Sequence, residues 1–239
     1  MRQLFISISC LLLLGIHSMV AQNVYVLSAG VADYPDYYRD LDLCAKDARA
    51  IVRLYRKNAK ANTVLLTDSN ATTKRILKAG RTLFKKAKPE DIVIFYFSGH
   101  GFPGGFCAYD DSLTYQEVRS LFASCKARNK MVFADACFSG DLREGSSSRN
   151  QDIDSHVMLF LSSRSYETSL EFGSTMRNGL FTACLVRALK GGADTNHDRI
   201  ITARELFDAV SKSVSEESDD TQHPVMWGNF EDTMPVMVW

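Results

Sequence analysis

His100 and Cys137 are the residues whose types and setting could support covalent chemistry. His100 stands in Ser98-Gly99-His100-Gly101, directly after the apolar run Ile92 to Phe97 (IVIFYF). Cys137 stands in Asp135-Ala136-Cys137-Phe138-Ser139-Gly140, directly after a second buried-type run, Lys130 to Asp135 (KMVFAD). A thiol attacks a carbonyl carbon as thiolate, and an adjacent imidazole can take its proton. Glycines on both sides of His100 let the backbone approach a substrate closely. They also expose the Gly101 N–H, which pairs with the Cys137 N–H as a candidate oxyanion hole for the developing negative charge. Taken singly, Cys137 reads as a core thiol and His100 as a satisfied structural histidine. Taken together, at two strand ends, they read as nucleophile and base.

The elements that must position this pair follow from periodicity. Val24 to Val31 is a short apolar run of strand length. Leu43 to Lys57 has helical spacing of its apolar residues. Thr63 to Leu66 reads as a strand, and Asn70 or Thr72 caps a helix reaching Lys86. Phe106 to Tyr109 reads as a short strand, and Thr114 caps a helix over Tyr115 to Ala127. His156 to Leu161 is a further strand, and Asn178 to Lys190 and Thr202 to Val214 are further helices. Strands alternating with helices imply an α/β domain with a mostly parallel central sheet covered by helices on both faces. Reactive groups in such folds lie beyond the carboxyl ends of the strands, where His100 and Cys137 both fall.

With that framework, the motifs resemble the caspase-like cysteine peptidases, in their metacaspase and paracaspase branch. The resemblance rests on Ser98-Gly99-His100-Gly101 and, 37 positions later, Asp135-Ala136-Cys137-Phe138-Ser139-Gly140. It extends to Leu43-Cys44-Ala45-Lys46-Asp47-Ala48, to Asn178-Gly179-Leu180-Phe181-Thr182 and to Gln222-His223-Pro224. It implies the caspase-like three-layer sandwich and a cysteine endopeptidase with His100 and Cys137 as dyad. In this branch the first specificity pocket is acidic and binds Arg or Lys, and the matching residues here are Asp47 and Asp135. A carboxylate pair can meet a guanidinium with charge-assisted hydrogen bonds. The bland alternatives are a solvated helix residue for Asp47 and a backbone-orienting carboxylate for Asp135. Glu171 is a candidate third acid. Ser162 and Ser163 are candidates to offer backbone groups to an extended substrate strand. Arg143 and Arg149, in the polar loop 141–155, make that loop a candidate self-cleavage site. Two other functions remain open: an inactive caspase-like peptide-binding module, and a thiol peptidase or ligase of the same clan with other specificity.

The chain is 239 residues long, enough for one sizeable domain. It carries 28 Lys plus Arg and 28 Asp plus Glu, so net charge favours no anionic partner, and no basic run with interleaved aromatics suggests nucleic acid. Residues 1–21, with Arg2, an apolar run to Ile16 and Ala21 before Gln22, read as a cleaved export signal; an uncleaved anchor is the alternative. The mature chain, 22–239, is then expected to be exported, periplasmic or secreted, monomeric and without a membrane span. Its five cysteines after Cys10 form no zinc pattern. The substrate partner is a peptide or protein, and no cofactor is needed for the chemistry. Residues 194–205 place Asp194, Asn196, Asp198, Ile200 and Glu205 at calcium-loop positions. Arg199 stands where such loops favour Gly, and the alternative is a polar turn in which Thr202 caps the next helix. A calcium ion there would be structural. His156, His197 and His223 are read as structural or surface residues.

Overall fold

The computed structural model describes residues 22–137, 157–164 and 178–239. The export segment, the loop 141–155 with Arg143 and Arg149, His156 and Glu171 lie outside the described residues. Six strands form the central sheet. β1 (Val24–Gly30), β2 (Asn62–Thr67), β3 (Ile92–Ser98), β7 (Asn129–Asp135) and β8 (Val157–Leu161) run parallel. β10 (Val225–Trp227) closes one edge antiparallel to β8. The order is β10-β8-β7-β3-β1-β2. β1 and β3 are buried along their whole length, which explains their nearly unbroken apolar sequences.

Alternation along the strands divides the core in two. Val24, Val26, Ile92, Ile94, Tyr96, Met131, Phe133 and Phe160 face α1 (Cys44–Ala59), α4 (Leu180–Arg187) and α5 (Ala203–Glu217). Tyr25, Leu27, Val93, Phe95, Phe97 and Val132 face the opposite layer, with α2 (Thr73–Phe84) and α3 (Tyr115–Ser120). The result is a helix–sheet–helix sandwich, as the alternation of elements implied. Threonines start three helices. Thr72 caps α2, and Thr114 and Thr202 each form a reciprocal capping box, with Glu117 and Glu205. Each such cap contributes about 1 kcal/mol.

Two details differ from the sequence expectation. The helix begun by Thr114 stops at Ser120, and the chain continues as successive three-residue turns: Leu121 to Val118, Phe122 to Arg119, Ala123 to Ser120 and Cys125 to Phe122. The Ser120 hydroxyl donates to the Glu117 carbonyl, the side-chain-to-backbone competition that disfavours serine within helices. Short antiparallel pieces also appear; of these the sequence marks only the strand at Phe106, which runs over Gly105–Cys107 and not on to Tyr109. β4 (Gly101–Phe102), β5 (Gly105–Cys107) and β6 (Ser112–Thr114) form a small sheet directly after His100. β9 (Ile200–Thr202) pairs with β11 (Pro235–Val238). No helix among the described residues is long and apolar enough to cross a membrane.

Candidate active site

Sheet register brings His100 and Cys137 together. β3 and β7 pair in parallel with a constant offset of 37 residues, from Ile92 opposite Asn129 to Ser98 opposite Asp135. His100 and Cys137 keep that offset two residues past the last pair. Adjacent strands lie about 4.8 Å apart, so segments leaving them side by side begin in contact. The Gly99 N–H donates to the Asp135 carbonyl at 3.2 Å and extends the link beyond the ladder. Gly101 then presses against the nucleophile's backbone: a Cβ there would stand 2.0 Å from the Cys137 carbonyl oxygen and 3.3 Å from Ala136 Cβ. Only glycine permits that approach.

The segment between β1 and α1 fixes the imidazole. His100 Nε2 lies 2.8 Å from the Arg39 carbonyl oxygen. A carbonyl only accepts, so Nε2 carries the proton and Nδ1 keeps the lone pair needed by a base. The His100 backbone N–H donates to the Tyr34 hydroxyl at 3.0 Å, and that hydroxyl donates to the Cys107 carbonyl at 3.1 Å. The Tyr34 ring packs with its centroid 5.1 Å from that of the imidazole, and the Arg39 guanidinium carbon lies over the Tyr34 ring, 4.8 Å from its centroid. Burial raises the Tyr34 pKa well above the ordinary phenol value, so it stays a neutral hydrogen-bond relay. The segment itself is tied down by Asp36, which caps the turn Tyr37–Arg39, by Asp40, which accepts from the Tyr34 N–H, and by Asp68, which accepts from the Ala32 and Asp33 N–H groups.

Beside the dyad is a cavity of about 90 Å³. Asp47, Asp135, Ser98 and Gly179 line it together with His100 and Cys137. Asp47 is 1% exposed and Asp135 5%, so Asp47 is not a solvated helix residue. Asp47 Oδ1 accepts from Asn178 Nδ2 at 2.7 Å and from the Gly179 N–H at 3.1 Å, and its Oδ2 accepts from Ser98 Oγ at 3.1 Å. Asp135 Oδ2 accepts from the Thr182 N–H at 3.1 Å and from Thr182 Oγ1 at 2.6 Å. Both carboxyl groups thus sit at the N-terminus of α4, whose free N–H groups and dipole favour negative charge. For Asp47 that support does not suffice. Burial, with the Asp135 charge second, holds its pKa well above the usual carboxylate range despite the hydrogen bonds from Asn178, Gly179 and Ser98. Two acids are buried side by side, and the described residues that line the cavity include no Lys or Arg.

Ser162 takes a different place from the one expected. Its N–H donates to the Ala134 carbonyl, so it offers no free amide to a substrate. Its hydroxyl accepts from the Ala136 N–H and donates to the Ala136 carbonyl, both at 3.2 Å, while Gln222 Nε2 donates to its carbonyl. Ser162 therefore holds the backbone immediately before Cys137. Ser163 is wholly buried beside it. In the 194–205 turn, Asp194 accepts from the Asp198 and Arg199 N–H groups, Asn196 from the Asp198 N–H, and Asp198 from the Ile200 N–H. Glu205 accepts from Thr195 and Thr202. Thr202 caps α5, as the polar-turn alternative had it. Among the described residues, no group of three or more His, Cys, Asp or Glu side chains is gathered to hold a metal ion. Among the described residues, Cys44, Cys107, Cys125, Cys137 and Cys184 form no disulfide.

A family model, the caspase domain, matches residues 25–234. The chain belongs to the caspase domain family. A solved structure supports the fold of this caspase-domain protein: protein GSU0716 from Geobacter sulfurreducens aligns with a TM-score of 0.65 at 18% identity, over 86% of this chain and 93% of that one. No curated protein matches the chain. The caspase domain carries a peptidase-type fold. Of the residues this site uses, Arg39, Tyr34, Asn178 and Gly179 were not named as site residues from sequence. The motif Asn178-Gly179 was legible, but its role required seeing α4 begin against Asp47.

Proposed function

We propose that this caspase-domain protein is a cysteine endopeptidase that cleaves after Arg or Lys. The observation that carries the reading is the cavity in which two buried carboxyl groups stand beside His100 and Cys137. A pair of carboxyl groups that lines a cavity beside the nucleophile can receive a cation from another chain. A substrate guanidinium or ammonium would neutralise the pair and donate charge-assisted hydrogen bonds to both carboxylates. The rim adds to the same field: Asp33, Asp36, Asp40 and Asp42 crowd the segment that supplies the Arg39 carbonyl.

In the proposed reaction the Cys137 thiol gives its proton to His100 Nδ1, and the sulfur attacks the carbonyl carbon after the bound Arg or Lys. The oxyanion faces the Gly101 and Cys137 N–H groups. His100 returns the proton to the leaving amine as the C–N bond breaks, leaving a thioester on Cys137. Water, losing a proton to His100, then attacks the thioester, and the peptide leaves as its carboxylic acid with the thiol restored. No cofactor takes part. The remaining elements of the proposal are export through residues 1–21, a monomeric mature chain, Ser163 as a backbone contact for substrate, and a purely structural role for any calcium held by the 194–205 turn.

Fluorogenic peptides ending in Arg, Lys, Asp and Asn test the reading, with Cys137→Ala as control. Cleavage after Arg and Lys that vanishes in the control is expected. Cleavage after Asp but not Arg would reject the pocket argument, and equal signal from the control would reject Cys137 as nucleophile.

A further inference from the structure

The chain's balanced charge hides a sharp division. Residues 44–88 hold 13 of the 28 Lys and Arg but only 2 of the 28 Asp and Glu. Of those two acids, Asp47 is buried in the cavity beside Cys137 and Asp68 pairs with Arg49. The remaining 194 residues accordingly carry the opposite excess, 15 cations against 26 acids. This basic stretch is α1, β2 and α2, and β2 is the outermost strand of the sheet.

β2 is an open edge. Every residue of it is partly or fully exposed, in contrast to the wholly buried β1 and β3, and among the described residues no strand pairs with its outer side. In a strand, alternate residues turn their N–H and C=O groups to opposite sides, so every second residue of β2 presents both to an incoming chain. The two faces flanking this edge differ. On the α2 face a cleft of about 370 Å³ is floored by Val64, Leu66 and Leu83 and rimmed by Arg75, Lys78 and Lys86. Lys78 and Lys86 are exposed and form no ion pair with a described residue. On the α1 face, guanidinium groups lie against the strand: Arg56 Nε donates to Thr63 Oγ1 at 2.6 Å and Arg49 to Thr67 Oγ1 at 3.2 Å.

We propose that the β2 edge is a docking site for an acidic protein segment that adds to the sheet as a further strand, with apolar side chains on its α2 face and Asp or Glu on its α1 face. The chemistry follows from the three observations together. An added strand satisfies the open amide groups. Its period of two sends one set of side chains into the apolar cleft and the other against the arginines of α1. The lysines on the cleft rim meet acids at its ends. A nucleic acid fits less well, since the cleft floor has no aromatic ring on which a base could stack. A lipid surface fits less well too, since it leaves edge amides unsatisfied in an apolar medium. The site is separate from the Cys137 cavity, whose lining shares no residue with it.

The test uses the full chain carrying Cys137→Ala, so that no probe is cut, and fluorescence anisotropy at low salt. The probes are the labelled peptides (Glu-Val)4, (Glu-Ser)4 and (Lys-Val)4, a (Glu-Val)4 bearing N-methyl groups on alternate residues, a twelve-nucleotide oligothymidylate, and phosphatidylglycerol vesicles. (Glu-Val)4 is expected to bind best. N-methylation, which removes the strand's donors, and the exposed double substitution Lys78→Glu/Lys86→Glu are each expected to weaken it by about tenfold or more. Equal binding of (Glu-Ser)4, indifference to N-methylation, tighter binding of oligothymidylate or vesicles, or no binding of (Glu-Val)4 at millimolar concentration would each overturn the proposal. In the chain with Cys137 restored, Lys78→Glu/Lys86→Glu is expected to leave cleavage of a short Arg peptide unchanged.

Discussion

Replacing Asp47 by Asn should make the protein more stable and nearly inactive. A Cβ on Gly179 would stand 2.9 Å from Asp135 Oδ2 and 3.2 Å from Asp47 Oδ2, so the two oxygens are within about 6 Å of each other. Two full charges at that separation repel by about 3 kcal/mol at an effective dielectric constant near 20. Asn keeps the shape: its oxygen still accepts from Gly179 and Asn178, and its amide can donate toward Asp135. The folded protein holds the Asp47 proton to higher pH than the unfolded chain does, because burial and the Asp135 charge raise its pKa. The native state thus binds the extra proton between the two values, and wild-type stability falls as pH rises through that window. Below the ordinary carboxylate range the penalty is absent. Urea unfolding at pH 4 and pH 8 measures this directly. Asp47→Asn is expected to gain about 1–3 kcal/mol over wild type at pH 8 and almost nothing at pH 4. Its kcat/KM on an Arg peptide should fall by about a hundredfold or more, since a substrate cation then meets half its charge. A variant that loses more stability at pH 8 than at pH 4 would show that the Asp47 charge supports the empty site, and the argument for a cation-seeking pocket would collapse.

Other outcomes follow from the same geometry. Wild-type kcat/KM for Arg peptides is expected to rise with pH as Asp47 gives up its proton, and Asp47→Asn should flatten that limb of the profile. Gly101→Ala places a methyl group 2.0 Å from the Cys137 carbonyl oxygen and should cost about 1–3 kcal/mol in urea unfolding, along with most of kcat. Gly179→Ala intrudes on both carboxylates; it should raise KM for Arg peptides more than it lowers kcat, and a pure kcat effect would contradict its place in the pocket. Tyr34→Phe leaves the His100 N–H and the Cys107 carbonyl without this partner, at a cost of about 1–3 kcal/mol in stability, with kcat reduced and KM little changed.

The parts of this molecule visible from sequence are those written over long stretches. β1, β3 and β7 are buried on both faces, so their apolar runs stand out, and the 37-residue spacing of His100 and Cys137 is the register offset of two neighbouring strands. Threonine caps at Thr72, Thr114 and Thr202 mark helix starts because one side chain does the capping. What escaped reading depends on chain segments meeting far apart in sequence. β9, β10 and β11 are three or four residues long, too short for any period. Asn178 and Gly179 matter because α4 begins against Asp47, 131 positions earlier. Ser162 follows a strand, a position that suits a substrate contact, yet its hydroxyl and N–H bond the backbone at Ala136 and Ala134.

The group that aims the imidazole is a main-chain carbonyl, that of Arg39. Every amino acid supplies that oxygen. A mutational scan reading only side chains would therefore score position 39 as expendable while the atom it contributes stayed in use. The vulnerability passes instead to Asp36, Asp40 and Asp68, whose carboxylates hold the loop in the one shape that delivers it.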